Sequence, residues 1–423
     1  MTTTARRALP PVLLALCLLL AGLAAGRPAA GDTPDRAPAA QPETLAQPVM
    51  NGAVFNDPSA GPASGAPTAA QRAVFDQLIG LIDATPSGEL IEFAMFEFVD
   101  GASGVPQQVV NSLLAAHDRG VDVRIILDST SKNEPVHERL DAALGDSDSA
   151  ASWVVRCGTD RGCIANNYSH NKFATFSAVE FADGSSYQDV VYQSSSNLTD
   201  WYLFNSYNDA FTLTDAAIYD DYRTYFADLN AGRKTGVDPD YFWASETGGA
   251  YKGLFYPRDR DTGDPIVNVL RDIDCSYQDE TGTTRQTDIR LVISSWTKNR
   301  QQVAEELIRL RGENCWIDVV YASSGIESEV LGVLDNTASN GKSLQLTPCT
   351  HEVAAGHQVR PHAKVMLTDG WYGDDFDPRV YTGSANLTTL ENSDDSQLRI
   401  IGRDFHDTYL AWFYDLRDSC GAA

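Results

Sequence analysis

Cations and long apolar runs are both scarce in this sequence, and each scarcity excludes something. Lysine and arginine together number 32 against 58 aspartates and glutamates, giving a formal net charge of −26 over 423 residues. A surface this acidic repels polyanions, so tight binding to nucleic acid is not expected without a locally basic groove. Beyond the first 26 residues no run is long and apolar enough to cross a bilayer. No CxxC pair or His-rich cluster occurs, so the common metal-binding patterns are missing and no metal or other cofactor is expected. The hydrophobic share of 43% and charged share of 21% are those of an ordinary globular protein with a sizeable core.

The apolar length that does exist lies at the start. Arg6 and Arg7 precede a run from Val12 to Ala25, which small residues close at Ala24, Ala25 and Gly26. This reads as a signal peptide over residues 1–26, and implies a secreted, extracellular protein. Residues 27–50 are rich in Pro and Ala without periodicity, and read as a flexible leader. Without Cys17 of the signal, six cysteines remain: Cys157, Cys163, Cys275, Cys315, Cys349 and Cys420. An even number in an exported chain favours disulfides over metal binding. The close pair Cys157 and Cys163 is the first choice, and sequence leaves the other pairings open.

An internal repeat organises the remainder. Each half opens with an apolar strand, 90–98 in the first and 289–296 in the second. A helix beginning Gln107-Gln108-Val109 or Gln301-Gln302-Val303 follows, and stops near Gly120 or Gly312. A β-branched strand comes next, over 121–127 and 316–321. Strand, helix and strand at this spacing predict parallel α/β units, with a first half at 51–235 and a second at 236–423.

Both halves then carry the same chemistry. The first has His170 and Lys172, followed by Ser195, Asn197, Leu198 and Thr199; the second has His362 and Lys364, followed by Ser384, Asn386, Leu387 and Thr388. On a strand, residues two apart face one side, so each His projects with its Lys. A neutral imidazole can attack phosphorus while an ammonium offsets the phosphoryl charge, and Ser and Asn add donors to the phosphate oxygens. Two such sets supply one histidine to attack and one to protonate the leaving oxygen. A single His-x-Lys means little, but two copies with matched Ser-x-Asn-Leu-Thr turns are hard to produce by accident. The acidic stretches, among them Asp259, Asp261 and Asp264, read as solvated loops. Trp201, Tyr202 and Phe204 read either as a lipid-facing rim or as core.

His-x-Lys, four residues, Asp, then Gly-Ser-x-Asn resembles the motif of the phospholipase D superfamily. The second half matches through His362, Lys364, Asp369, Gly383, Ser384 and Asn386, whereas the first has Ser177 and Ser194 at the Asp and Gly positions. The resemblance runs from about Val54 to Cys420. It implies a duplicated phospholipase D-like α/β fold, an αβα sandwich of two pseudo-symmetric halves with the active site between them. It implies catalytic roles for His170, Lys172, His362, Lys364 and Asp369, and phosphate binding by Ser195, Asn197, Ser384 and Asn386. His170 is assigned as nucleophile and His362 as acid/base, with Asp395 and Asp209 each orienting a histidine.

Three functions follow as alternatives. The first is a secreted phospholipase D that hydrolyses or transfers head groups, with phospholipid at a membrane surface and water or an alcohol as acceptor. The others are an exported nuclease and an inactive binding protein. Since one chain carries both histidines, a monomer suffices.

Overall fold

The computed structural model describes residues 46–246, 249–373 and 375–421. The signal peptide expected at 1–26 and the leader up to residue 45 lie outside them. Of the leader expected over 27–50, residues 46–50 are described, and Val49 among them is docked. Its N–H donates to Gln77 Oε1 at 2.9 Å, and Gln77 Nε2 donates to its carbonyl at 2.7 Å.

The apolar runs form two mixed sheets. The first has seven strands, β1 Gly52–Phe55, β2 Leu90–Met95, β3 Asp122–Leu127, β4 Trp153–Arg156, β5 Lys172–Glu180, β6 Ser186–Ser194 and β7 Asp209–Thr214, in the order β1-β7-β6-β5-β2-β3-β4. The second has eight, β8 Trp243–Ala244, β9 Tyr251–Phe255, β10 Asp288–Ile293, β11 Trp316–Tyr321, β12 Gln345–Pro348, β13 Val365–Asp369, β14 Arg379–Gly383 and β15 Ser396–Ile401, in the order β8-β9-β15-β14-β13-β10-β11-β12. The expected parallel units are present as β2-β3-β4 and β10-β11-β12. The other pairings in both sheets are antiparallel, and apart from β8 the two sheets share one order and one set of strand directions.

Helices separate and cover the sheets. On one outer face α1 Ala69–Asp83, α2 Val105–Asp118 and α3 Glu134–Leu144 bury apolar stripes against the first sheet, among them Val74, Leu78, Val109 and Leu140. On the opposite outer face α6 Pro265–Arg271, α7 Gln301–Gly312 and α8 Ser328–Leu334 do the same for the second. Between the sheets lie α5 Ala216–Thr235 and α9 Arg403–Gly421, whose cluster draws on both. A short α4, Asp200–Phe204, precedes β7.

The sequence of α5 explains its place. Asp215 caps it by accepting from the N–H groups of Ala217 and Ile218, at 3.0 Å each. Ile218, Tyr222, Phe226 and Leu229 then fall on one buried stripe. Tyr222 bridges the sheets, its ring 5.1 Å from both Phe173 and Phe255. All six cysteines pair, as Cys157–Cys163, Cys275–Cys315 and Cys349–Cys420.

Candidate active site

Two short parallel ladders tie the halves together and place the histidines. Tyr168–Ser169 pairs with Ser393–Asp394, and Ser206–Tyr207 pairs with Arg360–Pro361. His170 follows the first ladder, with its N–H on the Asp394 carbonyl at 2.8 Å. His362 follows the second, with its N–H on the Tyr207 carbonyl at 2.9 Å. Both histidines therefore precede β5 and β13 instead of lying within them. Each lysine still folds back on its histidine, Lys172 Nζ reaching the His170 carbonyl at 2.5 Å and Lys364 Nζ reaching the His362 carbonyl.

Each histidine takes its partner from the opposite half. His170 Nδ1 lies 2.9 Å from Asp395 Oδ1, leaving Nε2 free for chemistry. His362 Nδ1 lies 3.0 Å from Asn208 Oδ1, and Lys364 Nζ is 3.1 Å from its Nε2. The backbone relations that follow Ser195 and Ser384 make Asn208 the counterpart of Asp395. Ser195 N–H bonds the Asp209 carbonyl, and Ser384 N–H bonds the Ser396 carbonyl. Asp209, expected to orient a histidine, does not reach one: it accepts from Tyr409 Oη at 2.9 Å and from Thr382 Oγ1. The correction is one of register, since Asn208 and Asp209 point to opposite sides of the chain as it enters β7.

Burial governs the electrostatics. All four basic side chains are nearly inaccessible, His170 and His362 at 7% and Lys172 and Lys364 at 0% and 3%. Burial, reinforced by Lys172, pushes His170 down to about 4, although Asp395 pulls the other way. Burial and then Lys364 hold His362 well below its usual range, and the charges of Lys172 and His170 add to this. Burial also lowers Lys172 to about 7 and Lys364 well below the usual lysine range. Burial pushes Asp395 up, but His170 and the hydrogen bonds from His170, Ser384 and Ser393 outweigh it and keep the carboxylate ionised. Burial thus disfavours the charged form of both imidazoles and both ammoniums, while Asp395 beside His170 stays anionic.

The remaining expected residues divide. Asn197 is fully buried; its Oδ1 accepts from the Glu97 N–H at 3.3 Å, and its Nδ2 has no partner among the described residues. Asn386 Oδ1 is likewise buried without a partner. The two serines are already committed. Ser384 Oγ donates to Asp395 Oδ1 at 2.6 Å, and Ser195 Oγ donates to the Asp209 carbonyl at 3.3 Å while accepting from its N–H. Each thereby braces the segment that carries a histidine partner. The expectation for Asp369 is corrected. It ends β13 five residues beyond Lys364, roughly 16 Å along the strand, and is paired there with Arg403. Its counterpart Ser177 accepts from the Leu90 N–H and donates to Glu89, at 2.7 and 2.6 Å. That first-half departure therefore lies away from the chemistry. The Gly383-to-Ser194 departure is equally local. Gly383 has φ +146° and a Cβ there would meet the Ser396 carbonyl at 2.4 Å, whereas Ser194 Oγ donates to the Asp209 carbonyl at 2.9 Å.

Several supporting residues escaped the sequence reading. Asp128 accepts from the Ser169 N–H at 2.7 Å, pinning the residue before His170. Asp394 gathers the N–H groups of Cys163, Ile164 and Ala165 at 2.6, 3.1 and 2.6 Å, fastening the Cys157–Cys163 loop under the site. Asp264, expected in a solvated loop, is buried and grips Arg300, which donates from Nη1 to the Asn386 carbonyl. The aromatics split: Phe204 is core, Trp201 is 37% exposed, and Tyr202 stacks edge-on to His362 at 4.7 Å.

The family described as "Cardiolipin synthase, PLD-like domain" matches residues 78–230, which hold the His170 motif. Residues 78–230 are therefore similar to a phospholipase D-like domain. The fold of the chain is also that of a kinase and a synthase of known structure, among others. Polyphosphate kinase from Porphyromonas gingivalis is 12% identical with a TM-score of 0.53, over 86% of this chain and 49% of that one. Phosphatidylserine synthase from Haemophilus influenzae is 10% identical with a TM-score of 0.51, over 82% and 83%. The chain thus spans about half the length of the polyphosphate kinase. No curated protein matches it. The phospholipase D-like α/β fold expected from the motifs is the fold observed.

Proposed function

We propose that this protein is an exported phospholipase D-type phosphodiesterase that releases or transfers phospholipid head groups through a phosphohistidine. The observation that carries the reading is the unequal pairing of the two histidines, His170 with a carboxylate and His362 with an amide. In the first step His170 Nε2 gives its electron pair to phosphorus. The bond from phosphorus to the head-group oxygen breaks, and His362 donates a proton to that oxygen. Asp395 stabilises the cationic phosphohistidine from behind. In the second step His362 takes a proton from water or an alcohol as its oxygen bonds to phosphorus, and the P–N bond breaks, restoring His170. The lysines and the Asn197 amide bear the phosphoryl charge. The three disulfides support export to an oxidising compartment. The aromatic rim beside His362 and the acidic total charge favour a lipid over a nucleic acid.

The test is head-group release from mixed phospholipid vesicles by the mature protein, with chelator present and His170→Ala alongside. Release by the parent protein, with loss of about a thousandfold or more in the variant, is expected. Release from single-stranded DNA but from no phospholipid would overturn the lipid assignment.

A further inference from the structure

The two halves differ at their outer faces. In the first half α1 has 15 residues and closes the face of β6 and β7. Tyr192 Oη donates to the Val74 carbonyl at 3.2 Å, and Gln77 Nε2 donates to Thr212 Oγ1 at 2.8 Å. The helix at the corresponding place in the second half, α6, has only 7 residues. The strand positions below it correspond residue for residue. Tyr192 lies opposite Thr212, and Thr212 opposite Gly52; Tyr381 lies opposite Arg399, and Arg399 opposite Lys252.

The short helix leaves a cavity of about 270 Å³ over these residues, floored by Leu254 and Tyr381 and lined by Lys252, Arg258 and Arg399. Among the described residues no carboxylate lines it, in a chain with 58 acids and 32 bases. Two cations directly opposite each other on adjacent strands repel, yet Lys252 and Arg399 are built so. Arg399 Nη2 holds the Gly249 carbonyl at 3.1 Å, while its Nε is buried without a partner. Tyr381, 2% exposed, has the Tyr372 hydroxyl beside it, but its own makes no hydrogen bond of good geometry. The carboxylate that Arg399 senses, Asp375, is already held by Arg379. Burial pushes both Arg399 and Lys252 below their usual values; the Arg399 charge adds to the lowering of Lys252, and that of Arg379 to the lowering of Arg399. A buried donor without a partner and two facing cations each carry a cost, which an anion in the gap would offset.

We propose that this cavity is a second ligand site, distinct from the paired histidines, for a small organic anion: a phosphate or carboxylate carried on an apolar or aromatic group. Arg399, Lys252 and the Tyr381 hydroxyl hold the anionic end, and Leu254 and Phe242 take the apolar part. Its volume is too small for a whole phospholipid.

The test is calorimetric titration of His170→Ala, which blocks turnover, with phenyl phosphate and separately with inorganic phosphate. Saturable binding of phenyl phosphate is expected, with weaker binding of inorganic phosphate. Adding Arg399→Gln or Lys252→Gln removes one charge-assisted contact and should weaken phenyl phosphate by about tenfold. Lys252 is partly exposed and makes no hydrogen bond that the fold needs, so Lys252→Gln decides if Arg399→Gln does not fold. Absence of saturable binding, or binding unchanged by Lys252→Gln, overturns the proposal; the second result would assign the anion to Lys172 and Lys364.

Discussion

A buried imidazole is defined by what its second nitrogen touches. The Asp395 carboxylate suits His170 to become cationic on phosphorylation, whereas the Asn208 amide fixes the tautomer of His362 without charging it. His362 must be protonated to act as the acid, and burial with Lys364 pushes it the other way. A carboxylate at position 208 adds the opposite charge at Nδ1 and so raises the His362 pKa. Asn208→Asp should therefore move the alkaline limb of the kcat/KM profile upward, by about one unit or more. A limb that stays in place, or moves to lower pH, would remove His362 from the role of acid. Asp369 makes the opposite case. Paired with Arg403 at the surface, it should cost less than about 1 kcal/mol of stability on replacement by alanine, with kcat/KM retained. A large loss of activity with stability intact would return it to the site.

At the scale of elements, the site depends on loops held from behind. The segment carrying His170 is flanked by Asp128 and Asp394, and Asp394 satisfies three buried N–H groups of the disulfide loop. Asp394→Ala leaves those donors unpaired and should cost on the order of 3 kcal/mol. It should also lower kcat/KM, because the Asp394 carbonyl orients the His170 backbone. Denaturant unfolding and kinetics on the same preparation check both, and unchanged stability would show the loop to be held elsewhere. The repeated motifs were legible at this scale because chemistry needs the same residues at similar spacing in each half. Asn208 was not legible, because it lies 13 residues after Ser195 whereas Asp395 lies 11 after Ser384. A linear alignment slips by two residues there, while the sheets restore the correspondence through backbone hydrogen bonds.

Over the whole molecule, the disulfides act on the second half most. Cys349–Cys420 spans 71 residues and ties the end of α9 to the segment after β12; Cys275–Cys315 spans 40. Since α9 packs between the sheets, replacing Cys349 and Cys420 together by serine should cost about 4 kcal/mol. Thermal unfolding of that variant beside the parent measures it, and a Tm unchanged within error would mean that packing alone holds α9.

The sequence by itself determined the repeat, the two His-Lys pairs, the parallel units and the Cys157–Cys163 link. All of these are local patterns, set by periodicity or by spacing along one stretch of chain. Only the tertiary structure decided that Asp395 and Asn208 cross between halves, that Ser195 and Ser384 brace the segments carrying those partners, and that Asp369 is remote. It alone decided that a shortened α6 opens a cationic cavity. Each of these depends on which residues from distant segments share a buried space, and burial there sets both their hydrogen bonds and their charge.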